Sequence, residues 1–139
     1  MNNIRDEEYD ADFRTLICQE VLRHADRLNS ELNMSLNLKL RCHYDLPSYI
    51  NNPSSALGIE AYPVGWWNPN TPAVIHLNCD YVIEDVEREC FIKHIIPHEV
   101  AHAFTGIAGE DCHGDLWKSY MQLLGRPPLI TWTEMLVNR

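Results

Sequence analysis

Two histidines and a glutamate stand close together in the second half of the chain, in the pentapeptide His98-Glu99-Val100-Ala101-His102. Residues four apart lie one above the other on a helix face, so the two imidazoles can point at one metal ion. Glu99 then lies beside that ion without being needed as a ligand, where it can act as general base on zinc-bound water. An H-E-x-x-H pattern on a helix therefore predicts a zinc site with an adjacent general base.

A third ligand must come from elsewhere, because a catalytic zinc ion usually has three protein ligands and one open position. The candidates after His102 are Glu110, Asp111, Cys112, His113 and Asp115. The metzincin pattern fails, since Thr105 and Ala108 stand where it requires a glycine and a histidine. A glycine-containing turn precedes His113 and can bring the chain back over the metal. His113 is therefore the best candidate, and Cys112 ranks behind it.

A helix and a small sheet are predicted upstream of this site. Over residues 9–34 apolar side chains recur at three- and four-residue steps, which predicts an amphipathic helix. Residues 36–42 alternate between apolar and polar, as a half-buried strand does. Two further strands are predicted over 56–67, which Pro63 interrupts, and over 73–78. The tight connections favour antiparallel pairing among these strands.

The pentapeptide itself falls in a helix predicted over about residues 84–104. Pro97 lies inside this region and is expected to kink or restart the helix, because proline removes a hydrogen bond and clashes with the preceding turn. A start cap is expected from Asp80 or the acids after it. A last helix is predicted over 113–124, closed by a glycine and two prolines. The apolar tail is expected to pack back, and residues 45–55 are predicted to form a loop.

The composition of the 139 residues is that of an acidic globular protein. Hydrophobic residues make up 45% and charged residues 22%, which indicates a folded rather than a disordered chain. The net charge of −9 disfavours tight non-specific binding to nucleic acid, which requires many contacts from lysine and arginine to phosphate. Five cysteines occur without a CxxC pair, which predicts neither a disulfide framework nor a zinc ribbon.

The location of the protein is predicted from its N-terminal residues and its apolar runs. The N-terminal segment is acidic and polar, unlike a signal peptide. No apolar run approaches the roughly 20 residues that a membrane-spanning helix needs. A cytoplasmic protein without membrane attachment is therefore expected.

Three segments of the second half match, in order, the motifs of one protein family. AVIHLN (73–78) is similar to a strand that ends in Leu-Asn just before an active-site helix. IIPHEVAHAF (95–104) is similar to a core motif that includes the proline before the first histidine. HGDLWKSYMQLLG (113–125) is similar to a segment that carries a third zinc ligand. Over about residues 65–125, the chain thus resembles the SprT-like zinc metalloproteases, which include the bacterial SprT and eukaryotic Spartan proteases.

The resemblance implies zinc binding by His98, His102 and His113, with Glu99 as general base. It also implies a compact α+β, zincin-like fold. Its parts would be an N-terminal helix, a small three-stranded sheet, the H-E-x-x-H helix and a following helix that carries the third ligand. Residues 1–139 are then expected to form a single SprT-like metalloprotease domain without the C-terminal zinc ribbon of bacterial members. Eukaryotic members act on DNA–protein crosslinks through added DNA-binding parts, so nucleic acid is a partner by resemblance only, without support from the charge.

Several other side chains near these motifs have either a structural or a functional interpretation. His94 lies four residues before the first ligand and is interpreted as structural or supporting rather than as a ligand. His76 is interpreted as an ordinary strand histidine, although its strand lies beside the substrate cleft in zincins. Trp66-Trp67 is typical of either a substrate groove or core packing, and Trp117 of a buried helix anchor. The candidate oxyanion stabilisers are Tyr62 and Tyr120.

Taken together, these residues predict a zinc-dependent metalloendopeptidase that hydrolyses peptide bonds of a protein or peptide substrate. Its metal ligands are predicted to be His98, His102 and His113, with Glu99 as general base. The alternative is a non-catalytic zinc-binding interaction protein on the same scaffold, with Cys112 closing the fourth position. Glu99 speaks against this alternative, because a purely structural zinc site has no use for a neighbouring carboxylate.

Overall fold

The computed structural model describes residues 7–44, 64–79, 81–82 and 84–138. These residues form an α+β structure in which α1 and α3 pack against one three-stranded sheet. The helices are α1 (Glu7–Leu32), α2 (Asp85–Cys90), α3 (Ile96–Thr105), α4 (Asp115–Leu123) and α5 (Trp132–Val137). The strands are β1 (Lys39–His43), β2 (Gly65–Trp66) and β3 (Val74–Asn78). The shorter elements are a π-helical turn (Phe91–Ile95) and a 3₁₀ turn (Glu110–His113). In this part of the chain, no helix combines the length and apolarity needed to cross a membrane.

Helix α1 forms because its apolar residues fall on one side. Phe13, Ile17, Val21 and Leu28 are spaced by four or seven residues, and all four are buried. They belong to the hydrophobic core that α1 shares with the sheet and α3. The helix ends before Asn33, whose φ of 53° lies in the left-handed region that asparagine tolerates. The N-terminal amphipathic helix predicted from the sequence is confirmed.

The sheet has the strand order β1–β3–β2 and mixed pairing. β1 and β3 run parallel, whereas β2 pairs antiparallel with β3. The antiparallel pairing predicted among the strands is therefore wrong for β1 and β3. The chain passes through β2 and its flanking segments between them, which gives it the length to return and enter β3 in the direction of β1. Ile75 and Leu77 are fully buried on the inner face, and His76 lies on the opposite face.

Of the strand predicted over 56–67, the structure describes residues 64–67, and of these only Gly65–Trp66 form a strand, β2. An added Cβ at Gly65 would lie 2.7 Å from Cγ2 of Ile95, so glycine allows β2 to approach the helical run closely. The rest of that predicted strand, with Tyr62 and Pro63, lies outside the described residues. The loop predicted over 45–55 lies outside them as well.

One continuous helical run, from α2 through the π-helical turn to α3, carries the H-E-x-x-H pentapeptide. Glu84 begins α2 in a capping box with Glu87, so an acid after Asp80 supplies the cap. Asp80 itself lies outside the described residues. Pro97 occupies the first turn of α3, where its missing N–H leaves little unsatisfied, and the π-helical turn directly precedes it. The backbone stays helical through Ile95 and Ile96, so the kink or restart predicted at Pro97 takes the form of a change from π-helical to α-helical hydrogen bonding. Gly106, with a φ of 66°, caps the end of α3.

The C-terminal part folds back onto the rest of the molecule, as predicted. The last helix, predicted over 113–124, is α4 and begins only at Asp115. The prediction that this helix carries His113 is wrong, because His113 lies at the end of the preceding 3₁₀ turn and Gly114 separates it from α4. α5 then begins at a capping box formed by Thr131 and Glu134. Met135 of α5 is buried in the core, so the tail contributes to the packing that holds the helical run in place.

Candidate metal centre

His98 and His102 lie one turn apart on α3, and their rings converge on the same side of the helix. Their Nε2 atoms are 3.0 Å apart. Both residues are buried, with only 5% and 7% of their surface exposed. The two histidines therefore have the one-above-the-other arrangement that their spacing predicts.

His113 brings a third imidazole to the same point from the 3₁₀ turn. Gly109 precedes this turn with a φ of 89°, a backbone conformation that glycine adopts without steric cost, and the chain reverses toward α3 there. The Nε2 atom of His113 is 3.1 Å from that of His98 and 3.1 Å from that of His102. The three predicted ligands are thus brought together as a cluster that could hold a metal ion. We refer to them as the three-histidine cluster.

The protonation of these rings decides whether the cluster suits a cation. The Nδ1 atom of His98 donates a hydrogen bond to the carbonyl oxygen of Leu129 at 3.0 Å, because a carbonyl oxygen only accepts. In the neutral ring, Nε2 of His98 is therefore unprotonated. Burial lowers the pKa of His98 to about 4 and that of His102 to about 3, and it also lowers the pKa of His113. All three rings are neutral near pH 7.

Three neutral imidazoles arranged in this way fit a single metal ion. Nitrogens separated by 3.0–3.1 Å can all lie about 2.0–2.1 Å from one zinc ion. A set of three histidines is also one of the ligand sets of catalytic zinc sites, which keep a fourth position open for water or substrate. The three residues present could therefore hold a metal ion.

Trp117 of α4 supports all three imidazoles from one side. It is fully buried, and its ring centroid lies 4.9 Å from that of His98, 5.6 Å from that of His102 and 4.8 Å from that of His113. Its indole N–H donates to the backbone carbonyl of His98 at 3.2 Å. The prediction of a buried helix anchor is confirmed, and Trp117 also restricts the orientations open to the three histidine rings.

Glu99 lies at the edge of the three-histidine cluster. Its Oε2 atom is 3.9 Å from Nε2 of His98, and only 5% of the residue surface is exposed. Burial raises the pKa of its carboxyl to about 8. A cation held by the histidines would favour the charged carboxylate and oppose this shift. The side chain therefore lies near the cluster without belonging to it.

A cleft of about 310 Å³ opens onto the cluster and Glu99. This size is within the usual range for ligand-binding clefts. Its other walls are mostly apolar, and both members of the Trp66-Trp67 pair contribute, so the pair lines a groove. The apolar lining residues are Val64, Trp66, Trp67, Ile95, Ile107, Ala108, Ile130 and Trp132.

Cys112 lines the same cleft but lies on the wrong side of His113 for a shared metal ion. Its Sγ atom is 3.4 Å from Nδ1 of His113, across the ring from the Nε2 atom that faces the other histidines. The metal-binding group found among the described residues contains the three histidines and not this thiol. Asp111 and Asp115 are exposed and are likewise outside the group, and the side chain of Glu110 lies outside the description.

His94 lies on the face of the helical run that holds the tail. It is 2% exposed, and its buried Nε2 atom has no hydrogen-bond partner among the described residues. Burial lowers the pKa of the ring, and the backbone of Asn138, just after α5, acts in the opposite direction. The ring therefore lies near the C-terminal segment and does not belong to the three-histidine cluster. The structural interpretation of His94 agrees with this placement.

His76 and His43 form a second histidine contact, on the sheet. Nε2 of His43 lies 2.8 Å from Nδ1 of His76, and Trp66 stacks on both rings at centroid distances of 4.9 and 5.0 Å. His43 gave no signal in the sequence, because its partner lies 33 residues away on a parallel strand. We refer to these two residues as the histidine pair.

The carbonyl group of Leu129 is the other functional group that sequence reasoning missed. It fixes the tautomer of His98, yet a backbone oxygen carries no residue type that a motif could reveal. The only sequence signal was the predicted return of the apolar tail.

A scan against protein-family models matches none of them, and comparisons with curated proteins and with solved structures also give no match. The geometry of the cluster and the cleft therefore carries the functional inference.

Proposed function

We propose that this protein is a zinc-dependent metalloendopeptidase, with His98, His102 and His113 as zinc ligands and Glu99 as general base. The observation that carries the proposal is the convergence of three neutral imidazoles beside a buried carboxyl group in one cleft. The resemblance of the same residues to the SprT-like metalloproteases supports it.

The residues of the cleft divide the work of hydrolysis. Zinc, when bound, would supply Lewis acidity that polarises a carbonyl oxygen and makes water more acidic. Glu99 would accept a proton from the attacking water and deliver it to the leaving amine, since its carboxyl lies within reach of the cluster. Trp117 and the Leu129 carbonyl would keep the imidazoles oriented during this exchange.

The substrate is proposed to be an extended segment of a protein or peptide. β2 is one of the two outer strands of the described sheet, and its residues Gly65 and Trp66 line the cleft. An extended chain could pair with such an edge by backbone hydrogen bonds. The apolar walls favour apolar substrate residues near the scissile bond. The charge of −9 gives no support for nucleic acid as the main partner.

The decisive test compares Glu99→Gln with the wild type in zinc content and in hydrolysis of a labelled unfolded protein such as casein. The variant should keep its zinc but lose about 100-fold or more of kcat/KM, which is what removal of a general base typically costs. Glu89→Gln is the matched control, because Glu89 is an exposed glutamate on α2, outside the cleft. Hydrolysis that is equal in all three proteins would contradict the role of Glu99. Zinc binding without hydrolysis in any of them would favour the non-catalytic alternative.

A further inference from the structure

One peptide unit of the C-terminal segment lies between the three-histidine cluster and an exposed carboxylate. Its carbonyl oxygen, from Leu129, accepts the hydrogen bond of His98 Nδ1 at 3.0 Å. Its N–H group, from Ile130, donates to Oε1 of Glu134 at 3.1 Å. A side chain on the outer surface is thereby linked to a buried candidate ligand through a single amide group.

The planarity of the peptide makes this link directional. In a trans peptide the N–H and C=O bonds point in opposite directions within one rigid plane. No peptide bond among the described residues is cis. Because Glu134 fixes the direction of the Ile130 N–H bond, it also fixes the direction in which the Leu129 carbonyl points. Rotation of this plane would withdraw the carbonyl oxygen from His98.

Glu134 is itself held firmly. The same Oε1 atom also accepts from the Thr131 N–H at 3.0 Å, and the Thr131 hydroxyl accepts from the Glu134 N–H at 3.1 Å. These reciprocal bonds form the capping box of α5. The N–H groups of Thr131 and Ile130 lower the pKa of Glu134, so the carboxylate is charged at neutral pH.

We propose that Glu134 is a positioning residue for the metal centre: it holds His98 in the metal-binding tautomer through the Leu129–Ile130 peptide. This inference rests on the proposed metal centre and extends it to a residue outside the cleft. Metal-binding histidines commonly donate their second N–H to a carboxylate or a carbonyl, which fixes the tautomer and raises ligand basicity. Here the Glu134 carboxylate accepts from the N–H group of the same peptide whose carbonyl oxygen accepts from His98. It polarises that carbonyl, because hydrogen bonds in a chain strengthen one another.

The first test reads the tautomer of His98 directly in zinc-free protein. In the wild type, the ¹⁵N chemical shifts of the His98 ring should show a protonated Nδ1 and an unprotonated Nε2. In Glu134→Ala, the shifts should move toward a mixture of the two tautomers. Glu134→Gln should restore the wild-type pattern, because an amide oxygen can accept the same two N–H bonds.

The second test measures zinc affinity by competition with a chromophoric chelator. Glu134→Ala should weaken zinc binding about 10- to 100-fold, the range for loss of a group that orients a metal ligand. Thr131→Ala, which loosens the same capping box, should weaken it in the same direction but less. Glu87→Ala is the matched control, because it removes the corresponding capping-box contact of α2. That variant should bind zinc as the wild type does.

The outcomes separate this inference from the proposed function. Wild-type zinc affinity and an unchanged His98 tautomer in Glu134→Ala would overturn the positioning role while leaving the metal centre intact. An equal loss of affinity in Glu87→Ala would overturn it as well, because the effect would then reflect general destabilisation. A wild type that binds no zinc would contradict the proposed function, and the tautomer measurement would still decide whether Glu134 orients His98.

Discussion

The three-histidine cluster and the histidine pair use the same residue type, but their nitrogens are arranged differently. In the cluster, three Nε2 atoms face one common point at separations of 3.0–3.1 Å. In the pair, the contacts form a line: His43 Nε2 lies 2.8 Å from His76 Nδ1, and His76 Nε2 lies 3.0 Å from the Thr71 hydroxyl. The Thr71 hydroxyl in turn donates to Oδ1 of Asn68 at 3.4 Å.

The difference shows that neither histidine content nor burial alone brings ligand atoms together at a point where they could share a metal ion. Along the line, each hydrogen bond has one donor and one acceptor, so protons satisfy the ring nitrogens of His76. In the cluster, the Leu129 carbonyl takes the Nδ1 proton of His98 and leaves its Nε2 facing two further nitrogens. A cation can satisfy three such atoms at once. Convergence on one point is therefore the property that distinguishes the candidate metal centre.

The largest expected effect follows from removing one convergent ring. His102→Ala or His113→Ala should weaken zinc binding by about 1,000-fold or more, which exceeds the 10- to 100-fold cost of losing an outer contact. His43→Ala and His76→Ala should leave zinc affinity within about threefold of the wild type, because neither residue belongs to the metal-binding group among the described residues. Chelator competition on all four variants measures the contrast. Equal losses in both groups would remove the distinction between the cluster and the pair.

A smaller effect, on the pH dependence of stability, is expected from His24. This histidine is buried but does not belong to the three-histidine cluster, so it shows what burial does without a shared metal-binding point. His24 is 3% exposed on α1, and its buried Nε2 atom has no hydrogen-bond partner, although Oε1 of Glu20 lies 3.9 Å away. Burial, with a smaller contribution from the charge of Arg23, lowers its pKa from the ordinary 6.5 to about 4. The unfolded chain therefore takes up a proton as the pH falls below 6.5, and the folded chain does so only near 4.

Because the folded chain binds this proton less readily than the unfolded chain, the free energy of unfolding is expected to fall as the pH is lowered. The stability that neutral His24 contributes is fully present above pH 6.5 and is lost as the pH falls to about 4, for a total of about 3 kcal/mol at most. Urea unfolding of chelator-treated wild type and His24→Leu at several pH values measures this term. Because both proteins retain His98 and His102, the difference between them isolates His24. A difference that stays constant between pH 7 and pH 4.5 would contradict the assignment.

The sequence predicted the cluster well because its information is local. Two histidines four residues apart on a helix must share a face, and Glu99 between them must lie near the same point. A local change in the helix at Pro97 could be predicted for the same reason, since the covalent structure of proline acts on its own turn. Predicting His113 as the third ligand required information beyond one helix. A glycine-containing turn between two predicted helices supplied it, because such a turn leaves few ways for the chain to return toward the first helix.

What the sequence did not predict depends on contacts between distant segments. The parallel pairing of β1 with β3 joins segments far apart in the sequence, and alternation of residue types carries no strand direction. The histidine pair follows from that pairing and was missed with it. The link from Glu134 to His98 runs through backbone atoms, which no residue pattern reports.

Zinc K-edge X-ray absorption of the purified wild-type protein tests the central claim most directly, because it counts the atoms bound to the metal. Three imidazole nitrogens at about 2.0–2.1 Å with one further light atom are expected, and no sulfur at about 2.3 Å. A sulfur atom in the zinc coordination shell would place Cys112 on the metal and close the fourth position. That result, or a shell with fewer than three imidazoles, would contradict a three-histidine catalytic centre.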